Sequence, residues 1–305
     1  MGELIAYAGR RIGSALITLV IVSLMIFSAI HALPGGYADV FLGAHPTPEA
    51  KARIEAQFGL DQPLPVQYIQ WLGAAVQGDF GTSLVTQKPV SEEFAVRLPL
   101  TVTIAAIATA LAITVGLPTG LVGGLAQSPV ARGSARLFGS LAISVPDFVI
   151  GTVLLYVVSR YLQWATVFST TLLPAITLSV LGIGFISTSA RNASAAAHEG
   201  PWVMAAIARG QSDRQVVRHH ILKNAAIPVL TTIAIYFGYM LGGTAIVEST
   251  FTVPGVGRYL LQAVQLRDYP VVQAGALIAA SLFILLNLLV DVLYASLEPR
   301  IRRPA

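Results

Sequence analysis

Long apolar runs broken by short polar stretches organise this chain. Six runs stand out: Ile12–Leu33, Leu100–Ala126, Leu137–Leu162, Leu172–Ala190, Ala225–Val247 and Val271–Leu293. Each is long enough to cross a hydrocarbon layer as a helix, which takes about 20 apolar residues. The pattern predicts an all-α, polytopic membrane protein with six transmembrane helices. The first run follows Arg10-Arg11, as in a signal peptide, but it is too long for such a segment and no small-residue cleavage site follows, so it reads as a retained helix. Gly116, Gly120 and Gly124 in the second run form a small-xxx-small stripe, and Gly238 and Gly242 repeat the spacing in the fifth. Such stripes let helix backbones approach closely in lipid, within the chain or against a partner.

The polar stretches carry their own punctuation. The first, residues 34–99, is too long for a simple connection. Thr47 can cap a helix with Pro48 at its first position and Gly59 past its end. A second helix is predicted from about Pro65 to Gln77, stopped at Gly78, with Tyr68, Trp71 and Leu72 at helical spacing on one face. Two readings stand for this segment: an ordered cap on the helix bundle, or a docking surface for a delivered solute or its carrier.

The other structured stretch, residues 191–224, lies between the fourth and fifth runs. Gly200-Pro201 opens a short helix, because proline is tolerated at the first helical position. Trp202, Val203, Ala206 and Ile207 are expected to share one side of it. Gly210 can end it by adopting positive φ. Ser212 then offers an N-cap, with Gln215 three residues on completing a capping box. The expected result is two short helices joined by a stiff elbow.

Composition supports the membrane reading. Of 305 residues, 55% are hydrophobic and 11% charged, against about 25% charged in a soluble domain. The net charge of +4 follows from basic residues in connecting loops, so nucleic acid is not implied. With the N-terminus inside, Arg10, Arg11, Arg132, Arg136, Arg191, Arg209, Arg214, Arg218, Lys223, Arg300, Arg302 and Arg303 all fall on the inner side. Both termini are therefore expected to be cytosolic. Cysteine is absent, which removes disulfides, thiolate metal sites and cysteine nucleophiles.

Ala205-Ala206, Gly210, Asn224-Ala225 and Pro228 resemble the conserved loop of permease subunits of ATP-binding-cassette importers. The stretches "GGTAIVESTFTVPGVGRYLLQAVQLRDYPVVQAGALI", "NLLVDVLYASLEPRIR" and "GLDQPLPVQYIQWLGAAVQGDFGTS" are similar to the first-permease branch of the dipeptide/oligopeptide/nickel family. The resemblance implies a type I importer fold, one transmembrane permease domain over residues 1–305 and a bacterial inner-membrane location. It implies transport of short peptides, with nickel or glutathione-type cargo as alternatives. The implied partners are a homologous second permease, two cytosolic ATPase subunits or a fused pair, an extracytoplasmic solute-binding protein and membrane lipid. ATP and Mg would bind the ATPases, not this chain. The elbow would be the coupling helix, carried by Trp202, Val203, Met204, Ala205, Ala206, Ile207, Arg209 and Gly210. Pro201, Met204 and Ile207 depart from the family pattern and make the contact face more apolar.

Asp147 follows Pro146 inside the third run, where a carboxylate needs a cavity or a partner. It reads either as a pathway residue meeting a peptide amino terminus or cation, or as a buried structural pair. Glu248 either pairs with Arg258 or Arg267 to hold a returning loop, or sits at an outer gate. Asp291 reads as an anchor near Arg300 and Arg302, and Tyr7 and Trp164 as interfacial anchors. The adjacent His219 and His220 point about 100° apart on a helix and chelate poorly, so no metal site is expected. No Gly-Lys-Ser/Thr phosphate loop and no hydrolase motif occurs, so the chain reads as a non-enzymatic subunit. An ion-driven secondary transporter is the rival class. It would show internal repeats and discontinuous helices, neither of which is visible in the sequence.

Overall fold

The computed structural model describes residues 2–32, 42, 47–57, 60–162 and 168–297. Among them the chain is all-helical, apart from an isolated bridge between Thr82 and Pro89. The helices are α1 (Gly2–His31), α2 (Pro48–Gln57), α3 (Leu64–Val76), α4 (Val90–Leu125), α5 (Pro129–Ser144), α6 (Asp147–Val157), α7 (Leu173–His198), α8 (Pro201–Ala208), α9 (Asp213–Val216), α10 (Leu222–Gly243), α11 (Ala245–Thr250), α12 (Val256–Gln265) and α13 (Tyr269–Leu297). Five helices of the described residues are long and apolar enough to cross a membrane, or six if the bent pair α5–α6 counts as one span.

Two compact units divide the chain. One comprises Met1–Leu100 with Pro254–Leu288, the other Thr101–Val253 with Leu289–Ala305. In the second unit α7 is central: 56% of its membrane window is buried, against 11% for α1 and for α13. Glycines let its neighbours close on it. The α-carbons of Gly116, Gly120 and Gly124 on α4 lie against the backbone at Ile183, Ser187 and Arg191, Gly182 of α7 receives the Tyr236 ring of α10, and Gly184 receives Ile143 of α5. A methyl at any of these points would collide with backbone or a packed side chain, which in a tight interior costs about 1–3 kcal/mol. The first glycine stripe thus serves contacts within the chain. In the second stripe Gly238 is buried, whereas Gly242 is exposed and has open space at its α-carbon.

The first unit has its own core. Val90, Phe94, Val256, Tyr259, Ala263, Val271 and Ala274 are buried together. This explains why α4 starts at Val90, ten residues before the expected Leu100: its first turns carry Val90 and Phe94 into that core, with Glu92 and Glu93 favourably placed at the positive helix end. Beside it the turn before α4 is closed by a buried carboxylate. Asp268, 2% exposed, accepts the Ser83 hydroxyl and the Leu84 N–H at 3.0 Å. Arg97 pairs with Glu93 and lies 4.3 Å over the Tyr259 ring, whose hydroxyl burial holds above its ordinary pKa.

The predicted cap helix exists as α3 and packs on α1. Tyr68 Oη lies 2.8 Å from Ser23 Oγ, and the Phe27 ring meets Tyr68 and Trp71 at 5.5 and 5.9 Å. Gly78 (φ 83°) follows its end. Thr47 accepts the Ala50 N–H at the start of α2, as a cap should. Gly59, Trp164 and Arg300, Arg302 and Arg303 lie outside the described residues, so the anchors expected at Trp164 and around Asp291 have no structural account. Tyr7, expected as an interfacial anchor, is packed against the protein and accepts a hydrogen bond from Arg11 Nε at 3.1 Å.

The third run departs most from expectation. Rather than one helix over Leu137–Leu162, it forms α5 and α6, bent by 91°. Pro146 lacks an N–H and disfavours helical geometry in the residue before it; Val145 is accordingly extended (φ −95°, ψ 123°) and the helix stops at Ser144. Pro146 marks a place where the run can kink, but a full break into a discontinuous helix was not visible in the sequence and is present here.

Candidate functional site

The elbow is built from the ends of two long rods. α7 runs on to His198, beyond the predicted Ala190. α9 is not a separate second helix, because a wide π-type turn, Val217–Ile221, joins it to α10. Gly200 is extended, and its bare α-carbon makes room for the indole of Trp202, which donates from Nε1 to the Ala197 carbonyl at 3.0 Å. α8 is closed just past Ala208 by Gly210, whose φ of 77° is left-handed; Gly210 N–H donates to Ile207 O and Gln211 N–H to Ala206 O. Ser212 N–H then donates to Gln215 Oε1 at 3.0 Å, as expected for the capping box. His220 Nε2 lies 2.9 Å from Gln211 Oε1, and His219 Nδ1 3.1 Å from Gln215 O. No metal-capable group of three ligands occurs among the described residues.

The face expected to be shared by Trp202, Val203, Ala206 and Ile207 is divided. Val203 (4%) and Ala206 (0%) are buried with Ala197, Val216 and Ile221 in a small apolar core. Met204 (76%) and Ile207 (55%) point away from it, and Ala205, Arg209 and Gly210 are also exposed. Helical spacing alone puts positions 203, 206 and 207 on one side; which part of that arc is covered depends on where α9 and the π-type turn pack. Met204 and Ile207, the most exposed of its large apolar side chains, and part of Trp202 (39%) are thus held in solvent contact by a self-supporting element.

Asp147 and Glu248 lie in the same unit but in unlike surroundings. Asp147 is the first residue of α6 and partly exposed, and its Oδ1 accepts the Phe148 N–H at 2.7 Å. No salt bridge to it occurs among the described residues. Nearby in the same unit, Tyr236 of α10 donates to the Leu178 carbonyl at 2.9 Å. Sequence reasoning missed this tyrosine, 89 positions beyond Asp147; a hydroxyl-bearing ring inside an apolar run is the signal that could have found it. Glu248 is fully buried. It accepts hydrogen bonds from Thr101 Oγ1 at 2.8 Å and Thr244 Oγ1 at 3.0 Å. Its backbone carbonyl accepts the Val253 N–H at 2.8 Å.

Comparison with known proteins agrees with this architecture. Residues 112–303 match the family described as binding-protein-dependent transport system inner membrane component, and residues 4–105 match its N-terminal counterpart. The chain is 34% identical over 309 residues to a probable peptide ABC transporter permease protein, y4tP, of Sinorhizobium fredii, covering 97% of this chain and 99% of that one. It is 37% identical over 304 residues to the glutathione transport system permease protein GsiC of Salmonella paratyphi A, covering 97% and 98%. Two solved structures share its fold. One is the MetNI methionine ABC transporter (TM-score 0.54, 16% identity, 67% of this chain and 96% of that). The other is an amino acid ABC transporter (TM-score 0.54, 18% identity, 69% and 94%). With the family match spanning most of its length and its long apolar helices supplying the membrane spans, this chain belongs to the binding-protein-dependent transport system inner membrane components, as a multi-pass permease of an ABC importer of the peptide and glutathione type.

Proposed function

We propose that this permease forms half of a translocation pathway for short peptides and that its elbow couples the pathway to cytosolic ATPases. The observation that carries this reading is the exposed apolar pair Met204 and Ile207 on a helix that starts at Pro201, is closed by the left-handed Gly210 and is braced by its own core. An element meant to pass on force must be stiff, and an apolar surface of this kind calls for a protein cover. The rods α7 and α10 leave the elbow directly, so a displacement of α8 reaches the membrane spans without a slack connection. ATP and Mg act on the ATPase partners. A second permease completes the pathway, and a solute-binding protein delivers cargo on the far side. Both termini and the elbow then face the cytosol.

Asp147 is assigned to the pathway. It lies at a helix break at membrane depth, partly exposed and without a basic partner among the described residues, as a carboxylate that meets a cargo ammonium would be. Glu248 is assigned to bracing: its buried carboxylate is held by two threonine hydroxyls and does not face an open path.

The natural absence of cysteine makes a direct test simple. A Met204→Cys chain, assembled with its partners, is expected to react with a membrane-impermeant maleimide only in inverted vesicles. It should also form a disulfide with a cysteine placed in the ATPase groove. Labelling from the outside, or no cross-link in a transport-competent complex, would overturn the coupling role.

A further inference from the structure

The two rods that leave the elbow, α7 and α10, are tied to each other at two levels. Near the elbow, Thr232 Oγ1 donates to Ser189 Oγ at 2.8 Å, and Ser189 Oγ donates to the Pro228 carbonyl at 3.3 Å. Far from it, Tyr236 Oη donates to the Leu178 carbonyl at 2.9 Å. That carbonyl lies about 30 Å from the elbow end of α7 at the α-helical rise. The far tie is closely fitted. Tyr236 and Leu178 are both buried, and the ring lies on the bare α-carbon of Gly182, where a methyl would overlap it and Ala112. The Tyr236 hydroxyl adds a directional bond to this packing. Between membrane helices close packing on small residues and hydrogen bonds supply the adhesion, because lipid offers no hydrophobic drive. α10 is the softer rod. Pro228 lies inside it, so one rung of its hydrogen-bond ladder is missing, and the π-type turn Val217–Ile221 widens the backbone just before it. α7 has its only proline in its first turn. A displacement entering α10 from the elbow therefore meets two yielding places before it reaches Tyr236.

We infer that Tyr236 is a positioning residue for coupling: its hydroxyl locks α10 onto α7 beyond the Pro228 interruption, so that both rods follow the elbow as one body. This role rests on the coupling proposed for the elbow and names the bond that carries its motion past the weak part of α10. Apolar packing alone is non-directional and lets one rod slide or turn against the other. A hydroxyl seated on one main-chain carbonyl fixes the register.

Tyr236→Phe tests this, because it keeps the ring in the Gly182 seat and removes only the hydroxyl. The assembled transporter is studied in proteoliposomes. Spin labels on Phe185→Cys of α7 and Ile235→Cys of α10, in a chain otherwise free of cysteine, report the separation of the rods. With Tyr236 present, one interspin distance is expected both without nucleotide and after trapping with ATP and vanadate. With Tyr236→Phe the distance should broaden or shift between the two states. Peptide carried per ATP hydrolysed should fall several-fold, while the thermal midpoint moves by no more than about 4–8 °C, the effect of one hydrogen bond. A purely structural loss would lower the number of working complexes and leave peptide per ATP unchanged. Rods that separate on trapping in the parent chain would overturn the proposal. So would Tyr236→Phe with the parent distances, or with the parent yield of peptide per ATP. The cross-link from Met204→Cys to the ATPase tells the two failures apart. If it forms normally while any of these results is seen, the clamp alone is rejected; if it fails in the parent transporter, the coupling role falls and the clamp with it.

Discussion

The elbow over residues 199–221 and the turn over residues 78–90 are both stiff connections between helices, and they are stiff by opposite means. The elbow has an apolar core of small side chains, Ala197, Val203, Ala206, Val216 and Ile221, and no buried charge within it. The turn is closed by a buried carboxylate, Asp268, which gathers the Ser83 hydroxyl and neighbouring backbone N–H groups. Both use left-handed glycines, Gly210 in one and Gly78 and Gly81 in the other. Directional bonds to a buried carboxylate hold one geometry and lose much when any partner moves, because an unmet buried polar group costs about 1–3 kcal/mol. Apolar packing is non-directional and leaves the element free to move as a body. The polar knot holds one geometry; the apolar elbow, with Met204 and Ile207 left uncovered, is compatible with the coupling role proposed above.

The largest effect is expected from Gly210→Pro. Proline cannot reach a φ of 77°, and forcing it costs at least about 3 kcal/mol, or roughly a hundredfold in the population of the closed elbow. ATP-coupled peptide uptake should fall to background while membrane insertion, followed by immunoblot of the membrane fraction, stays normal. Uptake that persists would remove the elbow from the mechanism. Asp268→Ala should do the converse. It strips the Leu84 N–H and the Ser83 hydroxyl of their acceptor, so the purified complex should lose about 2–3 kcal/mol of stability, read as a lower thermal midpoint. The complexes that survive should still couple ATP hydrolysis to uptake. Loss of coupling at full stability would erase the distinction between turn and elbow.

Within the elbow, the two faces should separate cleanly. Ala206→Leu overpacks a site with no exposed surface and should destabilise by about 1–3 kcal/mol. Met204→Glu and Ile207→Glu, on the open face, should leave the thermal midpoint almost unchanged, within about 0.5 kcal/mol. Each should nevertheless lower uptake and ATPase co-purification about tenfold, as for an interface anchor. The smallest and most selective effect is expected from Asp147→Asn. Uptake of a peptide with a free amino terminus should drop several-fold, whereas its N-acetylated form should be carried as before; an equal loss for both would mark Asp147 as a structural residue.

Much of this was legible in the residues. Apolar runs of membrane length, the Pro201 start, the Gly210 stop and the Ser212–Gln215 cap are local properties, set by side-chain hydrophobicity and by which backbone angles a residue allows, and they were readable one segment at a time. Pro146 announced a disturbance, but its size, a bend of 91°, depended on what α5 and α6 pack against. Other features carried no local signal at all. Thr101 and Glu248 are 147 positions apart and Ser83 and Asp268 are 185 apart, so nothing in either segment marks its partner. The same holds for the divided face of α8. Sequence alone determined that Val203, Met204, Ala206 and Ile207 sit on one short helix; only the tertiary structure decided which of them are covered, because burial is set by the elements that happen to pack alongside.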